Sequence, residues 1–224
     1  MHLLALGLNH RTAAVDLRER TAFSPEQLPD AVRSLTSSLD VTEATILSTC
    51  NRMEIYCGAP INELDKILRW PGEFLKIPQE DIRPYLFMHK DSNAVRHILR
   101  VASGLDSMIL GEPQVLGQMK KAYQTANHAG TLGKLLRRLF QHTFTVAKQV
   151  RTKTDIGSNP DSFMFTSITL IKKIFDNISS KKALVVGSGY MIQLAIKYLQ
   201  SNNVRDITLT NRNSDKGAKI AKDN

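Results

Sequence analysis

The sequence predicts an α/β chain in two parts: an α+β first domain whose second half is helical, then the opening β-α-β unit of a doubly wound parallel sheet. Three observations carry this. Short apolar runs at residues 3–8, 45–48 and 53–57 have the length and alternation of strands. From about residue 91 apolar residues recur at helical spacing. After residue 182 the pattern becomes strand, glycine turn, helix, strand, helix.

Leu3 to Leu8 ends in Gly7-Leu8-Asn9, which suits a strand and a turn. A helix is expected from Ser24, with Pro25 at its first position and Gln27 three residues after the cap. Thr45 to Ser48 is a second strand. Met53, Ile55 and Cys57 alternate with Glu54 and Tyr56, giving a third strand with one apolar face. Thr49 to Arg52 therefore forms the bend between two strands. Val95, Ile98, Leu99 and Ala102 then mark a helix capped by Asp91. His97 falls beside this stripe and not within it. Pro113 opens a helix carrying Val115, Met119, Ala122, Tyr123 and Ala126, stopped by Gly130. Leu132 to Val150 carries one long stripe, a helix of roughly twenty residues. Ile156-Gly157-Ser158-Asn159-Pro160 breaks the pattern, and Met164, Ile168, Ile171, Phe175 and Ile178 share a face beyond it. The expected division is a domain over 1–156, a linker helix over 157–180 and a partial nucleotide-binding domain over 181–224.

Composition narrows the classes. A hydrophobic fraction of 42% and a charged fraction of 23% fit a globular core and exclude disorder. No apolar run reaches the roughly eighteen residues of a membrane helix, so no membrane partner is expected. Two cysteines without an export signal point to free thiols in a reducing, cytoplasmic setting. The six histidines show no metal-ligand spacing. The net charge of +9 points towards a polyanion such as nucleic acid. Lys134, Arg137, Arg138, Lys148, Arg151 and Lys153 follow Gly130 without an intervening acid. That basic ridge fits phosphate contacts, and a solubilising face carries the same charges.

Cys50 is the candidate nucleophile. It stands in a polar bend, Arg52 is near enough to favour a thiolate, and Thr49 and Asn51 add donors. Cys57 reads as a buried strand residue. In the last section Gly187-Ser188-Gly189-Tyr190-Met191-Ile192 follows a strand and opens a helix, the context of a pyrophosphate-binding turn. Ile192 replaces the third glycine of that fingerprint. At the end of the next strand Arg212, with Lys216 beyond, stands where NAD enzymes carry an acid, which favours a 2′-phosphate and hence NADPH.

Several long motifs resemble the glutamyl-tRNA reductase family. They are Gly7-Leu8-Asn9-His10-Arg11-Thr12-Ala13, Leu17-Arg18-Glu19-Arg20, Leu47-Ser48-Thr49-Cys50-Asn51-Arg52, Arg100 to Met108, Leu110-Gly111-Glu112-Pro113-Gln114 and Val150 to Gly157. The resemblance implies attack of Cys50 on the ester of glutamyl-tRNA, a glutamyl thioester, and its NADPH-dependent reduction to glutamate-1-semialdehyde. That is the first step of the C5 route to 5-aminolevulinate and tetrapyrroles. It implies a Rossmann-type second domain and a catalytic role for His97. It places Thr49, Asn51, Arg52, Ser107, Glu112, Pro113, Gln114 and Gln118 around the substrate, with Arg52 holding a glutamate carboxylate. The glycine turn and the cation after the second strand place Gly187, Ser188, Gly189, Tyr190, Met191, Ile192 and Arg212 at the cofactor. Asp161 to Phe165 and Tyr190 depart from the family's usual residues. The family dimerises through a C-terminal helical domain that this sequence lacks, so the chain is expected to be a front portion. Glutamate-1-semialdehyde aminomutase is implied as a downstream partner. The alternative expectation is a chain that only binds glutamyl-tRNA, or hydrolyses it through Cys50.

Overall fold

A computed structural model describes residues 1–108, 110–157 and 162–223. The chain divides into two compact units, Met1–Ser158 and Asn159–Asn224.

The first unit opens with strand β1 (His2–Asn9), helix α1 (Val15–Arg20) and helix α2 (Leu28–Ser38). Strands β2 (Glu43–Ser48) and β3 (Arg52–Ala59) follow, then helix α3 (Leu64–Leu75), the single turn α4 (Gln79–Ile82) and strand β4 (Phe87–Lys90). Helices α5 (Asp91–Ala102), α6 (Gln114–Ala129) and α7 (Lys134–Lys153) complete it. The sheet order is β2-β3-β1-β4, antiparallel throughout. The expected bend from Thr49 to Arg52 joins β2 to β3, and α6 ends at Gly130 in the left-handed conformation, φ 77°.

Three expectations change. Regular helix begins at Leu28, not Ser24. Ser24 and Gln27 do exchange the predicted bonds, Ser24 N–H to Gln27 Oε1 at 3.0 Å and Gln27 N–H to Ser24 Oγ at 3.4 Å. They close a turn ahead of the helix, because Pro29 has no N–H to continue the ladder back to residue 25. Asp91 does not cap α5. Its carboxylate accepts the Leu3 N–H at 3.1 Å and bonds His2 at 2.8 Å, tying α5 to β1. Strand β3 has no solvent face: all its residues are buried. Met53, Ile55 and Cys57 pair with Leu8, Leu6 and Leu4 and share a core with Leu35 of α2 and Ile67 of α3. The opposite face carries Arg52, Glu54 and Tyr56, and α5 and α7 cover it, with Tyr56 edge-on to Phe140 at 5.8 Å.

The second unit holds helix α8 (Ser162–Ile174), strand β5 (Lys182–Val186), helix α9 (Tyr190–Ser201), strand β6 (Asp206–Thr210) and helix α10 (Ser214–Asp223). The two strands are parallel, as the predicted β-α-β unit requires. Ile168 of α8, expected on a linker helix, shares a buried cluster with Ile178 and Val204, so α8 belongs to this unit's core. Val185 is buried on one face of β5, while Leu184 and Val186 are exposed on the other. Ser158, Asn159 and Pro160 of the predicted break lie outside the described residues, as do Asp161 and the side chains of Ser162, Phe163, Met164 and Phe165.

Candidate functional site

The covered face of β3 holds charge where its apolar neighbours predict none. Glu54 is fully buried, and three groups meet its carboxylate. Arg52 Nη1 donates to Oε1 at 2.6 Å, His97 Nε2 lies 3.1 Å from Oε2, and the Tyr56 hydroxyl donates to the same oxygen. Burial alone would raise the carboxyl pKa. The bond from His97, the Arg52 charge and the Tyr56 bond outweigh burial and hold it at about 2. The same contacts make Tyr56 a donor only, its pKa driven up by burial and the Glu54 charge.

Gly7 makes room for this cluster. A Cβ there would sit 2.1 Å from the Met53 carbonyl oxygen and 2.8 Å from Glu54 Cα, so only glycine lets β1 approach β3 at Glu54.

Arg52 reaches onward to Asp106, in the loop between α5 and α6. Nη1 lies 3.6 Å from Asp106 Oδ2, and Nη2 donates to the Asp106 carbonyl. Arg11 approaches the other Asp106 carboxylate oxygen at 3.3 Å. The guanidinium expected to hold a substrate carboxylate is therefore buried, with both terminal nitrogens engaged by the protein. The physical reason is the strand register: residue 52 points to the same side as residue 54, where an unpaired carboxylate would be costly.

Cys50 is exposed on the bend, whereas Cys57 is buried and its thiol is pushed up to about 12 by burial. The bend is fixed on three sides. Thr49 Oγ1 accepts the N–H groups of Asn51 and Arg52, each at 3.1 Å. Arg18 Nη1 donates to the Cys50 carbonyl at 2.9 Å and to Asn51 Oδ1 at 2.8 Å. The His10 N–H donates to the Asn51 carbonyl at 2.9 Å. Thr49 and Asn51, expected beside a substrate, spend these atoms on the bend itself. Burial lowers the His10 pKa, and the charges of Arg52 and Arg11 lower it further.

A cavity of about 390 Å³ opens beside the buried cluster, lined on α5 by Asn93, Arg96, His97 and Arg100. Among the predicted substrate and catalytic residues it is lined by His97 alone. His97 belongs to the buried face of α5, not beside it, and its ring is tilted against those of His89 and Phe87, with centroids 4.8 and 5.0 Å away. Gln118 lines a different cavity, about 370 Å³, with Phe23, Ser48 and Thr125. Ser107, Glu112 and Pro113 lie on the loop joining α5 to α6. There Arg151 donates to the carbonyls of Gly111 at 3.1 Å and Glu112 at 3.4 Å. Burial raises the Glu112 pKa, partly offset by Arg52. Gln114 opens α6. Glu54, Asp106, Arg18, His89, Arg96 and Arg100 were not singled out from the sequence. The available signal was a lone acid between apolar residues of a strand, which needs a buried partner.

In the second unit, Gly187 has φ 121°, a conformation that side chains rarely adopt, and a Cβ on Gly189 would meet nothing within 4 Å. Gly189 directly precedes α9, at the helix N-terminus whose dipole favours an anion. Ile192 packs against the cluster of Val185, Ile196 and Ile220, filling the space a third glycine would leave. Ser188, Lys216 and Lys219 line one cavity of about 490 Å³. Arg212 is exposed after β6 and is not among its lining residues. Met191 occupies the first turn of α9, and the side chain of Tyr190 lies outside the described residues. An open glycine turn, a helix N-terminus and two lysines fit a dinucleotide carrying an extra phosphate.

The model of the glutamyl-tRNA(Glu) reductase N-terminal domain matches residues 6–154, and the shikimate/quinate 5-dehydrogenase model matches 169–224. A glutamyl-tRNA reductase of Nitrosococcus oceani is 48% identical over 221 residues, 99% of this chain and 53% of the relative. One from Pseudomonas fluorescens is 49% identical, covering 99% and 52%. The solved glutamyl-tRNA reductase of Methanopyrus kandleri superposes with TM-score 0.67 at 30% identity, covering 99% of this chain and 52% of that one. The chain spans about half the length of the curated relatives it matches.

Proposed function

The chain belongs to the glutamyl-tRNA reductase family, and from that premise we propose that it takes glutamate from glutamyl-tRNA onto Cys50 as a thioester, the first half of NADPH-dependent reduction to glutamate-1-semialdehyde. One observation supports this most directly. Of two thiols, Cys50 alone is exposed, on a bend held rigid by Arg18, Thr49 and His10.

The chemistry follows from that placement. The Cys50 thiolate attacks the ester carbonyl, the C–O bond to the tRNA breaks, and the 3′ hydroxyl leaves with a proton. His97 is the candidate for handling protons at the carbonyl oxygen, because Glu54 fixes its ring and the ring still lines the cavity. Arg52 has a task beyond the one its position first indicated. It neutralises Glu54 and anchors the loop carrying Ser107 and Glu112 through Asp106. Any direct contact of Arg52 with the glutamate carboxylate competes with those partners. The exposed Lys134, Arg137, Arg138 and Lys148 of α7 suit phosphates along the tRNA.

NADPH, when bound, supplies hydride to the thioester carbonyl. The turn of Gly187, Ser188 and Gly189 with the start of α9 would hold its pyrophosphate, and Lys216, Lys219 and Arg212 its 2′-phosphate.

Incubation with glutamyl-tRNA, followed by intact-mass measurement, tests the reading. A glutamyl adduct lost in Cys50→Ser supports it. Glutamate released without an adduct, and unaffected by Cys50→Ser, overturns it.

A further inference from the structure

The cavity beside His97 has a property that the chemistry at Cys50 does not use. Asn93, Arg96, His97 and Arg100 recur at i, i+3, i+4 and i+7, so one stripe of α5 faces it. Arg96 and Arg100 repel each other at i, i+4, a cost to the helix. Neither has a carboxylate partner among the described residues. The two acids nearest in sequence are committed elsewhere, Asp91 to His2 and Leu3, and Asp106 to Arg11 and Arg52. Arg11 enters the same cavity from the turn after β1, a third guanidinium, paired there with Asp106, which also lines the cavity and leaves Arg96 and Arg100 as its cations without a carboxylate partner among the described residues.

Aromatic rings line the same cavity. Phe87 and His89 of β4 line the cavity, with ring centroids 5.2 Å apart. Guanidinium groups and aromatic rings lining one cavity are the elements that bind single-stranded nucleic acid: rings take bases, cations take phosphates. A lone carboxylate needs one bidentate arginine, not three spread around an open cavity. The cavity is also tied to the nucleophile, since the turn carrying Arg11 donates the His10 N–H to Asn51, next to Cys50.

We infer that this cavity is the subsite for the single-stranded 3′ end of the tRNA, with Arg96 and Arg100 on backbone phosphates and Phe87 and His89 against a base. The inference rests on the reading of the chain as an enzyme of glutamyl-tRNA. It assigns to α5 a part in holding the carrier next to Cys50, separate from the basic ridge of α7.

The test uses uncharged RNA, so it does not depend on thioester formation. Two RNA hairpins are compared, one with a single-stranded 3′ tail and one blunt, binding to the 224-residue chain and to its Arg96→Gln/Arg100→Gln variant. Wild-type protein is expected to bind the tailed hairpin at least about tenfold more tightly. The variant loses that advantage, and its salt slope falls by about 1.4, roughly 0.7 per single-strand phosphate contact. Both side chains are partly or fully exposed, and an unchanged circular-dichroism spectrum and urea midpoint exclude misfolding. Equal affinity and slope in the two proteins overturn the inference. So does a variant that keeps tail binding but loses binding of free glutamate, which would make the cavity a carboxylate site. Tail-dependent binding without any Cys50 adduct from glutamyl-tRNA would sink the proposed reaction and leave this subsite standing.

Discussion

His97 Nε2 lies 3.1 Å from Glu54 Oε2, joining a helix to a strand forty-three residues away in sequence. That contact links the buried charge of β3 to the cavity. Glu54 is fully enclosed, while His97 has one edge in the cluster and lines the space outside. The ring is held by a group substrate cannot reach.

Glu54→Gln keeps the shape and removes the charge that Arg52 and His97 face. Leaving a buried cation half-compensated costs about 3 kcal/mol. Urea unfolding should show that loss, and Cys50 acylation should fall as His97 loses its fixed orientation. A variant as stable as wild type would show that Asp106 alone suffices for Arg52.

Stability should also fall in acid, with a defined sign. The Glu54 pKa is about 2 in the folded chain against the usual 4.5. The unfolded chain therefore takes up its proton first as pH drops. The contribution is complete above about pH 5 and is lost as pH falls towards 2. At about 1.4 kcal/mol per pH unit the difference is worth roughly 3 kcal/mol. Glu54→Gln should flatten this part of the stability–pH curve.

The two thiols should separate under alkylation. Iodoacetamide at pH 8 is expected to add once to the folded protein, at Cys50, and twice in denaturant. The Cys57 thiol, raised to about 12 and buried, stays unmodified while the fold holds. Peptide mapping of the single adduct reads the result.

Gly7→Ala should be among the most damaging small substitutions. Its Cβ would lie 2.1 Å from a backbone oxygen of the central strand, where nothing flexible can yield. A loss of about 3 kcal/mol is expected, the upper range for overpacking. A midpoint within error of wild type would mean that β1 and β3 can separate without disturbing Glu54.

Arg18→Met keeps the side-chain stem and removes the donors to the Cys50 carbonyl and Asn51. The expected result is a Cys50 acylation rate lowered about tenfold, with stability changed by less than about 1 kcal/mol, since such half-exposed contacts contribute little to folding. A large stability loss would instead make Arg18 a structural residue.

Much of the fold was legible because it is local. The Cys50 bend follows from two strand patterns separated by polar residues. The length of α7 follows from its stripe, and the end of α6 from Gly130. Ser24 and Gln27 made their expected hydrogen bonds, yet Pro29 delayed the helix. Asp91 stood at the right place for a cap, but a strand N–H from the far end of the unit claimed it.

By itself the sequence determined the parallel β-α-β unit and the family and marked Cys50 as the candidate nucleophile, because each rests on residues near one another in the chain. Only the tertiary structure decided what surrounds Cys50. It buried Glu54, turned Arg52 inward to neutralise it, moved Gln118 to another cavity and placed Arg96 and Arg100, without a carboxylate partner among the described residues, beside His97. The reason is that a buried charge must be compensated where it lies. Its partners come from strand register and helix packing, which bring together residues 11, 54, 97 and 106 that no local pattern connects.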